Sequence, residues 1–280
     1  MPSYALLGEK LGHSLSPQLH AAIYKQLGVT DVTYRAAEVP EEGLKDFFAG
    51  FAAGAFDGIN ITIPYKAAAI PFLQQVDAKA RALNAVNCVH LHLGQLKGYN
   101  TDCLGFAYSL RRNRIELEGA HCAILGAGGS AQAVAAVLAE GKVATVKIYN
   151  RSIDKANRLS LLIEALNPKI KTELVTTEAL SGVELDLLVN TTSLGMYPSV
   201  DNTPLPDADL SKVKSVVDLI YNPGKTLLLN HAESQGARVV NGLEMLVAQA
   251  VYSVEIWRGG NVISKVDMDA LTQELAENFS

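Results

Sequence analysis

Apolar residues follow two alternating patterns along this chain. Short apolar runs bounded by turn residues are typical of buried strands, and apolar residues recurring every three or four positions are typical of helices packed on one face. Their alternation predicts an α/β fold in which helices cover open sheets. The predicted strands are residues 3–7, 32–39, 57–63, 123–125, 145–149, 185–190, 215–219 and 239–242, with a hairpin over 84–99 that turns at Gly94. The predicted helices are 16–27, 40–53, one starting at Pro64, 104–113, 130–140, 243–258 and 267–278.

A glycine-rich turn separates a predicted strand from a predicted helix near the middle of the chain. It consists of Gly126, Ala127, Gly128, Gly129 and Ser130, and the small residue Ala131 follows. In a dinucleotide site the first glycine permits the turn, the second lets the backbone approach a pyrophosphate, and a small third residue allows the helix to pack closely. The N–H groups at the start of the helix then face the anion. The sequence therefore predicts a dinucleotide-binding site here.

The residues after the next strand indicate which dinucleotide binds. Sites for NAD usually place an acidic residue here to bind the ribose 2′-hydroxyl. This chain has Asn150, Arg151 and Ser152, with Lys155 close behind. Because a guanidinium pairs well with a phosphate, these residues favour NADP. The alternative is a solvated arginine at the end of a strand.

Two serines precede the first predicted helix. Ser16 followed by Pro17 is typical of a helix start, with the Ser16 hydroxyl as the cap. Ser14 lies in the loop before it. The two hydroxyls either have this structural role alone or hold a carboxylate with help from the helix dipole. The residues leave both interpretations open.

Lys66 and Asp102 are candidates for proton chemistry. Lys66 follows the strand 57–63, and ligands of open α/β sheets gather beyond the carboxyl ends of strands. Asp102 precedes the helix 104–113, where it either caps the helix or pairs with Lys66. A single lysine is more often a solvated surface residue. A lysine beside a carboxylate in a partly dry site can exchange a proton with a carbonyl/alcohol couple.

Composition narrows the possible partners. The 280 residues are 49% hydrophobic and 19% charged with a formal net charge of -5, which indicates a globular protein and no nucleic-acid partner. Three cysteines without a Cys-x-x-Cys pair favour a reducing compartment. We find no signal peptide and no apolar stretch long enough for a membrane, and His90 and His92 lack a third metal ligand. We expect a cytoplasmic protein that acts on a small molecule without a metal.

Nine motifs give the chain a resemblance to the shikimate dehydrogenases. In order along the chain they are GHSLSP (12–17), NITIPYK (60–66), AVN (85–87), GYNTD (98–102), GAGGSA (126–131), NRS (150–152), NTTSLGM (190–196), DLIYNP (218–223) and NGLEMLVAQ (241–249). The resemblance runs from about Gly8 to the last helix. It implies a discontinuous α/β substrate domain, 1–103 and 243–280, and a Rossmann-type NADP-binding domain, 104–242, with a cleft between them.

The resemblance also implies a reaction and a role for each motif. The reaction is the reversible reduction of 3-dehydroshikimate to shikimate with NADPH, in the pathway to chorismate and the aromatic amino acids, by a monomer or homodimer. Lys66 and Asp102 would be the catalytic pair. Substrate would be bound by Ser14, Ser16, Thr62, Asn87, Tyr221 and Gln249. NADP would be bound by Gly126, Ala127, Gly128, Gly129 and Ser130 at the pyrophosphate, by Asn150, Arg151, Ser152 and Lys155 at the 2′-phosphate, and by Leu219 and Gly242 at the nicotinamide.

Some positions depart from the family pattern. Gln132 stands where Arg is frequent, Ser152 where Thr is common, and Ala21 where Asn is usual. Asn84 and Cys88 flank the AVN motif, where the family usually has Gly and Thr. None of these changes affects Lys66 or Asp102.

Two other functions are compatible with these motifs. One is a quinate or quinate/shikimate dehydrogenase with relaxed or NAD cofactor use, but Ser16 favours shikimate because quinate-preferring relatives often carry Thr there. The other is a non-catalytic sensor. The presence of both Lys66 and Asp102 favours an enzyme over a sensor.

Overall fold

The computed structural model describes residues 1–12 and 14–279. The chain forms two compact units. Unit 1 contains Met1–Gly105 and Val247–Leu275, and unit 2 contains Phe106–Leu246 with the end of the chain from Ala276. Unit 1 is therefore assembled from two segments that are far apart in the sequence.

Strands and helices alternate along most of the described chain. The strands are β1 (Ser3–Gly8), β2 (Thr33–Glu38), β3 (Gly58–Ile61), β4 (Gln75–Val76), β5 (Cys88–His92), β6 (Gln95–Tyr99), β7 (His121–Leu125), β8 (Thr145–Tyr149), β9 (Lys171–Leu174), β10 (Leu185–Asn190), β11 (Val213–Asp218) and β12 (Arg238–Val240). The α-helices are α1 (Ser16–Gln26), α2 (Leu44–Gly50), α3 (Ala78–Ala82), α4 (Thr101–Arg112), α5 (Gly129–Glu140), α6 (Ile153–Leu166), α7 (Leu227–Ser234), α8 (Leu243–Arg258) and α9 (Met268–Ala276). Single turns of 3₁₀-helix cover Glu41–Gly43, Ile70–Phe72, Glu178–Leu180 and Glu277–Phe279, and a π-helical turn covers Phe51–Ala55.

Unit 1 is built on a mixed sheet with the strand order β2-β1-β3-β5-β6-β4. Strands β2 and β3 both run parallel to β1, because helical connections return the chain to the same end of the sheet. Strands β5 and β6 form the predicted antiparallel hairpin. Its two-residue turn, Leu93–Gly94, has positive φ at both positions, which matches the twist of the flanking strands.

Trp257 of α8 completes the core of unit 1. Its ring stacks on Tyr4 of β1 with centroids 4.6 Å apart, and its Nε1 donates a hydrogen bond of 3.0 Å to the carbonyl oxygen of Val89. Gly58 makes room for the indole, because a Cβ at this position would overlap the ring. The segment 247–275 thus contributes core residues to a sheet formed by the first hundred residues.

Unit 2 is built on a fully parallel sheet with the strand order β12-β11-β10-β7-β8-β9. The chain moves outward from β7 through β8 and β9, then returns to form β10, β11 and β12 on the other side. Ligands of such sheets bind at the carboxyl ends of the strands where the order reverses, here between β7 and β10. The predicted α/β fold with a Rossmann-type parallel sheet is confirmed.

The helix predicted to start at Pro64 is wrong. Residues 64–69 form turns, and the 3₁₀ turn Ile70–Phe72 follows. Pro71 lacks the N–H that an α-helix would bond to the carbonyl oxygen of Ala67. The N–H of Ile70 instead donates to the carbonyl oxygen of Ala67 at 3.2 Å, which closes a tighter turn.

Other boundaries also differ from the predictions. The helix predicted over 40–53 is divided into the 3₁₀ turn at Glu41–Gly43, helix α2 and the π-helical turn, where Gly54 has φ +93. The strand predicted over 57–63 ends at Ile61. Strand β9 was not predicted, because its sequence Lys-Thr-Glu-Leu lies at a sheet edge and contains no apolar run.

Candidate active site and cofactor site

Lys66 and Asp102 form an ion pair within unit 1. Lys66 Nζ lies 2.6 Å from Asp102 Oδ2, and the side chains are 20% and 12% exposed. Two contacts fix the turn that carries Lys66: the Tyr65 hydroxyl donates to the carbonyl oxygen of Val39 at 2.7 Å, and the Val86 N–H donates to the carbonyl oxygen of Lys66 at 2.8 Å. The structure brings together the two residues predicted as a catalytic pair.

Asp102 lies in the first turn of α4 without capping it. The Asn100 side-chain oxygen instead accepts a hydrogen bond of 3.3 Å from the N–H of Cys103, as an N-cap does. The interpretation of Asp102 as a cap is therefore wrong. Its Oδ2 contacts Lys66, and its Oδ1 accepts a hydrogen bond of 2.8 Å from Asn87 Nδ2. Both carboxylate oxygens thus have a side-chain donor.

A buried network of polar side chains holds Asp102 in place. The Asn87 amide nitrogen also donates to Thr101 Oγ1 at 3.0 Å, and its oxygen accepts from the Thr101 N–H at 2.6 Å. The Thr101 hydroxyl lies 3.2 Å from the hydroxyl of Ser253, which accepts from Asn60 Nδ2 at 2.8 Å. Since these groups are buried and bonded to one another, they hold the carboxylate in one orientation.

Three members of this network, Asn60, Thr101 and Ser253, were missed as site residues. Asn60 gave a usable signal, because it lies in an otherwise apolar strand and a buried amide needs partners. Asn87 lies beside the ion pair, and its amide bonds to Thr101 and Asp102. A contact between Asn87 and a substrate hydroxyl stays a prediction.

Ser14 and Ser16 lie together at the start of α1. The Ser14 hydroxyl donates to Ser16 Oγ and accepts from the N–H of Ser16, both at 3.3 Å. None of the described side chains caps α1, so the prediction that the Ser16 hydroxyl is the cap is wrong. Two half-buried hydroxyls and the positive end of the helix dipole therefore meet at one place, which suits an anion.

The other predicted substrate residues are spread over both units. Thr62 follows the end of β3, and its N–H donates to the carbonyl oxygen of Leu7 at 3.0 Å. Gln249 lies on α8, where its carbonyl oxygen accepts from the Ser253 hydroxyl at 2.9 Å. Tyr221 belongs to unit 2, and burial raises the pKa of its phenol. Their substrate contacts stay predictions.

The glycine turn of unit 2 has the geometry that a dinucleotide site needs. Gly126 has φ +102, and a Cβ there would lie 2.5 Å from Thr191 Oγ1. Gly128 precedes α5, whose first N–H groups receive no side-chain cap. A Cβ at Gly128 or Gly129 would meet no atom within 4 Å. The open space beside these two glycines therefore lets a pyrophosphate approach the backbone closely.

The residues at the end of β8 have two kinds of role. The Ser152 hydroxyl accepts a hydrogen bond of 3.4 Å from the N–H of Lys155 and so caps α6. Asn150 Nδ2 donates to the carbonyl oxygen of Ser152 at 2.9 Å. These two residues shape the turn, while the side chains of Arg151 and Lys155 are exposed and make no hydrogen bond or ion pair within the described chain. The turn thus presents two cations.

A cavity of about 260 Å³ borders the glycine turn. Its walls are formed by Ala127, Gly128, Gly129, Gln132, Lys155, Arg158 and Leu159. Arg158 was not predicted as a site residue. Helix α6 was not predicted either, so this arginine could not be placed on a helix face from the sequence. Together, the open N–H groups and nearby cations fit a phosphorylated dinucleotide such as NADP.

Leu219 and Gly242 are held against each other next to the carboxyl end of β11. A Cβ at residue 242 would overlap the carbonyl oxygen of Leu219, so only glycine fits. The buried carboxylate of Asp218 fixes this region, because its Oδ1 accepts from the Ile220 N–H at 3.1 Å and from Asn190 Nδ2 at 2.9 Å. Contact of Leu219 and Gly242 with a nicotinamide stays a prediction.

Residues 1–12 and 14–279 contain neither a candidate membrane-spanning helix nor a candidate metal-binding cluster. No helix in this part of the chain combines the length and apolarity needed to span a bilayer. Within the same residues, no three His, Cys, Asp or Glu side chains gather as they would to bind a metal ion. Burial raises the pKa of the Cys88 and Cys122 thiols to about 12, which keeps both protonated at neutral pH.

Two family models and a curated relative match this chain. The family model described as shikimate dehydrogenase substrate binding domain matches residues 6–89, and the model described as shikimate / quinate 5-dehydrogenase matches residues 109–193. The NADP(+) shikimate dehydrogenase of Halothermothrix orenii is 38% identical over 260 residues, 91% of this chain and 90% of that protein.

Solved structures give the same result. The shikimate 5-dehydrogenase of Thermus thermophilus, crystallised with NADP(H) and shikimate, is 32% identical with a TM-score of 0.87 and covers 100% of both chains. A 5-ketofructose reductase of Gluconobacter is 31% identical with a TM-score of 0.86 over 99% of both chains, so the fold alone does not fix the substrate. Because both family models match and a curated relative is 38% identical over 91% of the chain, the chain belongs to the shikimate dehydrogenase family.

Proposed function

We propose that the chain catalyses the reversible, NADP-dependent interconversion of shikimate and 3-dehydroshikimate. The observation that carries the proposal is the Lys66–Asp102 ion pair, partly buried and supported by Asn87. In unit 2, an open glycine turn and exposed cations suit the cofactor. Relatives of this family are curated as NADP(+) shikimate dehydrogenases. Unit 1 is accordingly the proposed substrate unit and unit 2 the proposed cofactor unit.

Lys66 is the proposed proton carrier. Bound NADPH supplies the hydride that the carbonyl carbon of 3-dehydroshikimate accepts. The Lys66 ammonium donates a proton to the carbonyl oxygen as negative charge develops there, and in the reverse direction it receives the hydroxyl proton. Asp102 holds the ammonium through Oδ2, and Asn87 holds Asp102 through Oδ1. The carboxylate thus fixes the ammonium in place.

Ser14 and Ser16 are the proposed site for the substrate carboxylate. Their hydroxyls lie 3.3 Å apart at the start of α1. When an anion binds, each hydroxyl can donate a hydrogen bond to it, and these bonds replace the one between the two serines. From the family resemblance we assign Tyr221 to the same carboxylate, and Thr62, Asn87 and Gln249 to the ring hydroxyls. A hydroxylated ring acid offers a carboxylate and hydroxyls with which such side chains can form hydrogen bonds.

Replacement of Lys66 tests the catalytic assignment. We expect Lys66→Ala to lower kcat at least about a hundredfold with little change in KM, because an interaction that matters in the transition state is lost. Turnover is followed by absorbance of NADPH with shikimate as substrate. Lys45→Ala, which removes an exposed lysine of the same unit, is the matched control and retains full activity. Near-normal turnover of Lys66→Ala contradicts the assignment.

A substrate and cofactor panel tests the reaction itself. Initial rates are measured with shikimate or quinate and with NADP or NAD. We expect shikimate with NADP to be the fastest pair, because Arg151 and Lys155 favour a 2′-phosphate. Faster turnover of quinate with NAD supports the quinate dehydrogenase instead, and no turnover of any pair supports a sensor.

We propose a cytoplasmic location and a monomeric or homodimeric state. The location rests on the three cysteines, which are all buried thiols. Fractionation of cells and light scattering of the purified protein test these two assignments.

A further inference from the structure

Arg158 borders the glycine turn from the side of α6. It lines the same cavity of about 260 Å³ as Gly128, Gly129 and Gln132. Lys155 lines it too, and residues three apart on a helix lie on one face. None of the residues that line the cavity is acidic. The wall formed by α6 thus carries two positive charges.

The guanidinium of Arg158 has no role within the protein fold. The side chain is exposed, and no described residue forms a hydrogen bond or an ion pair with it. Helix α6 is capped by Ser152 and buries Ala156, Leu159 and Ile163 without using Arg158. The fold therefore leaves all five N–H donors of Arg158 available to a ligand.

We infer that Arg158 contacts the 2′-phosphate of NADP and contributes to the preference for NADP over NAD. This inference rests on the proposed function, since it concerns the same cofactor. A phosphate monoester carries a charge of about -1.5 to -2 near pH 7 and pairs best with a guanidinium. The pyrophosphate is already served by the neutral N–H groups at the start of α5, where added positive charge is less needed.

The wall of the cavity opposite Arg158 carries no positive charge. Gln132, on the first turns of α5, also lines the cavity but brings no charge. Arg151 and Lys155 are the only cations that the motif after β8 provides. Arg158 adds a third cation to these two from the next turn of α6.

Direct binding to the intact protein tests the inference without turnover. NADPH and NADH are titrated in the absence of substrate, and the nicotinamide fluorescence gives each Kd. We expect Arg158→Gln to raise the Kd of NADPH by about tenfold and that of NADH by less than twofold. Arg158→Lys, which keeps the charge but not the fork of donors, lies between. The loss for NADPH shrinks at high salt, as expected for exposed charges.

The matched control is Lys169→Gln, which removes an exposed cation beyond the end of α6. It leaves both Kd values unchanged. An equal loss of NADPH and NADH binding in Arg158→Gln overturns the inference in favour of a pyrophosphate contact, and no loss of either overturns it outright. If the wild-type protein binds NADPH but does not oxidise shikimate, only the proposed function fails.

Discussion

His20 should make unit 1 sensitive to acid. The side chain is 1% exposed, and its ring stacks on Tyr34 with centroids 3.9 Å apart. Neither ring nitrogen has a hydrogen-bond partner among the described residues. Burial lowers the pKa of His20 from 6.5 to about 3. The folded protein therefore keeps this imidazole neutral at a pH where an unfolded chain protonates it.

The size of the effect follows from proton linkage. Between about pH 6.5 and 3 the unfolded state binds a proton at His20 that the folded state does not, so the free energy of unfolding falls as the pH falls. The slope is about 1.4 kcal/mol per pH unit for one proton, and the full shift corresponds to about 5 kcal/mol. A loss of this size approaches the whole stability of an ordinary domain.

Trp257 provides the assay, because it is the only tryptophan of the chain and lies in unit 1 with its ring centroid 5.4 Å from that of His20. Urea unfolding is followed by its fluorescence at several values between pH 7 and 4. His20→Phe keeps a stacked ring without a titrating group and is the control. We expect wild-type stability to fall more steeply than that of His20→Phe below pH 6.5. Parallel pH dependence of the two proteins refutes the reasoning.

Three further predictions concern the two sites. Burial raises the pKa of Asp218 to about 6, so between about pH 4 and 6 the folded state binds more protons than the unfolded state. The free energy of unfolding therefore falls by about 3 kcal/mol as the pH rises through that window, and thermal melts of Asp218→Asn should lack this fall. Gly242→Ala forces the backbone away from Leu219, so the KM for NADP should rise several-fold while that for shikimate stays constant in steady-state assays; unchanged kinetics would argue against this contact. Asn87→Ala leaves Asp102 Oδ1 without a donor, so kcat should fall about tenfold or more, and an undiminished kcat would mean that Asp102 needs no support.

Local sequence patterns were sufficient to predict those features whose structure depends only on neighbouring residues. The turn at Gly126 and the strand before it depend on neighbouring residues, and both were predicted. The residue that caps α4 could not be predicted, because Asn and Asp side chains such as those of Asn100 and Asp102 are equally capable of capping a helix. Asp102 is drawn away by Lys66 and Asn87, and no local rule contains those contacts.

Long-range partners set the other limit. Asn60 and Ser253 are 193 positions apart and share a hydrogen bond. The apolar pattern of β3 signals that Asn60 is buried, but it cannot name the residue that satisfies it. Arg158 raises the same difficulty, since its place beside the glycine turn depends on how α6 packs. Sequence patterns thus identify the reactive groups more readily than the residues that support them.

The interleaved order of the two units has a consequence for synthesis on the ribosome. Residues 1–105 leave the ribosome first, yet Trp257, which stacks on Tyr4, is made only after all of Phe106–Leu246. The middle unit can fold during translation, while the opening segment waits with an uncovered apolar sheet. Nascent chains stalled before Val247 should therefore bind chaperones through residues 1–105 rather than through Phe106–Leu246.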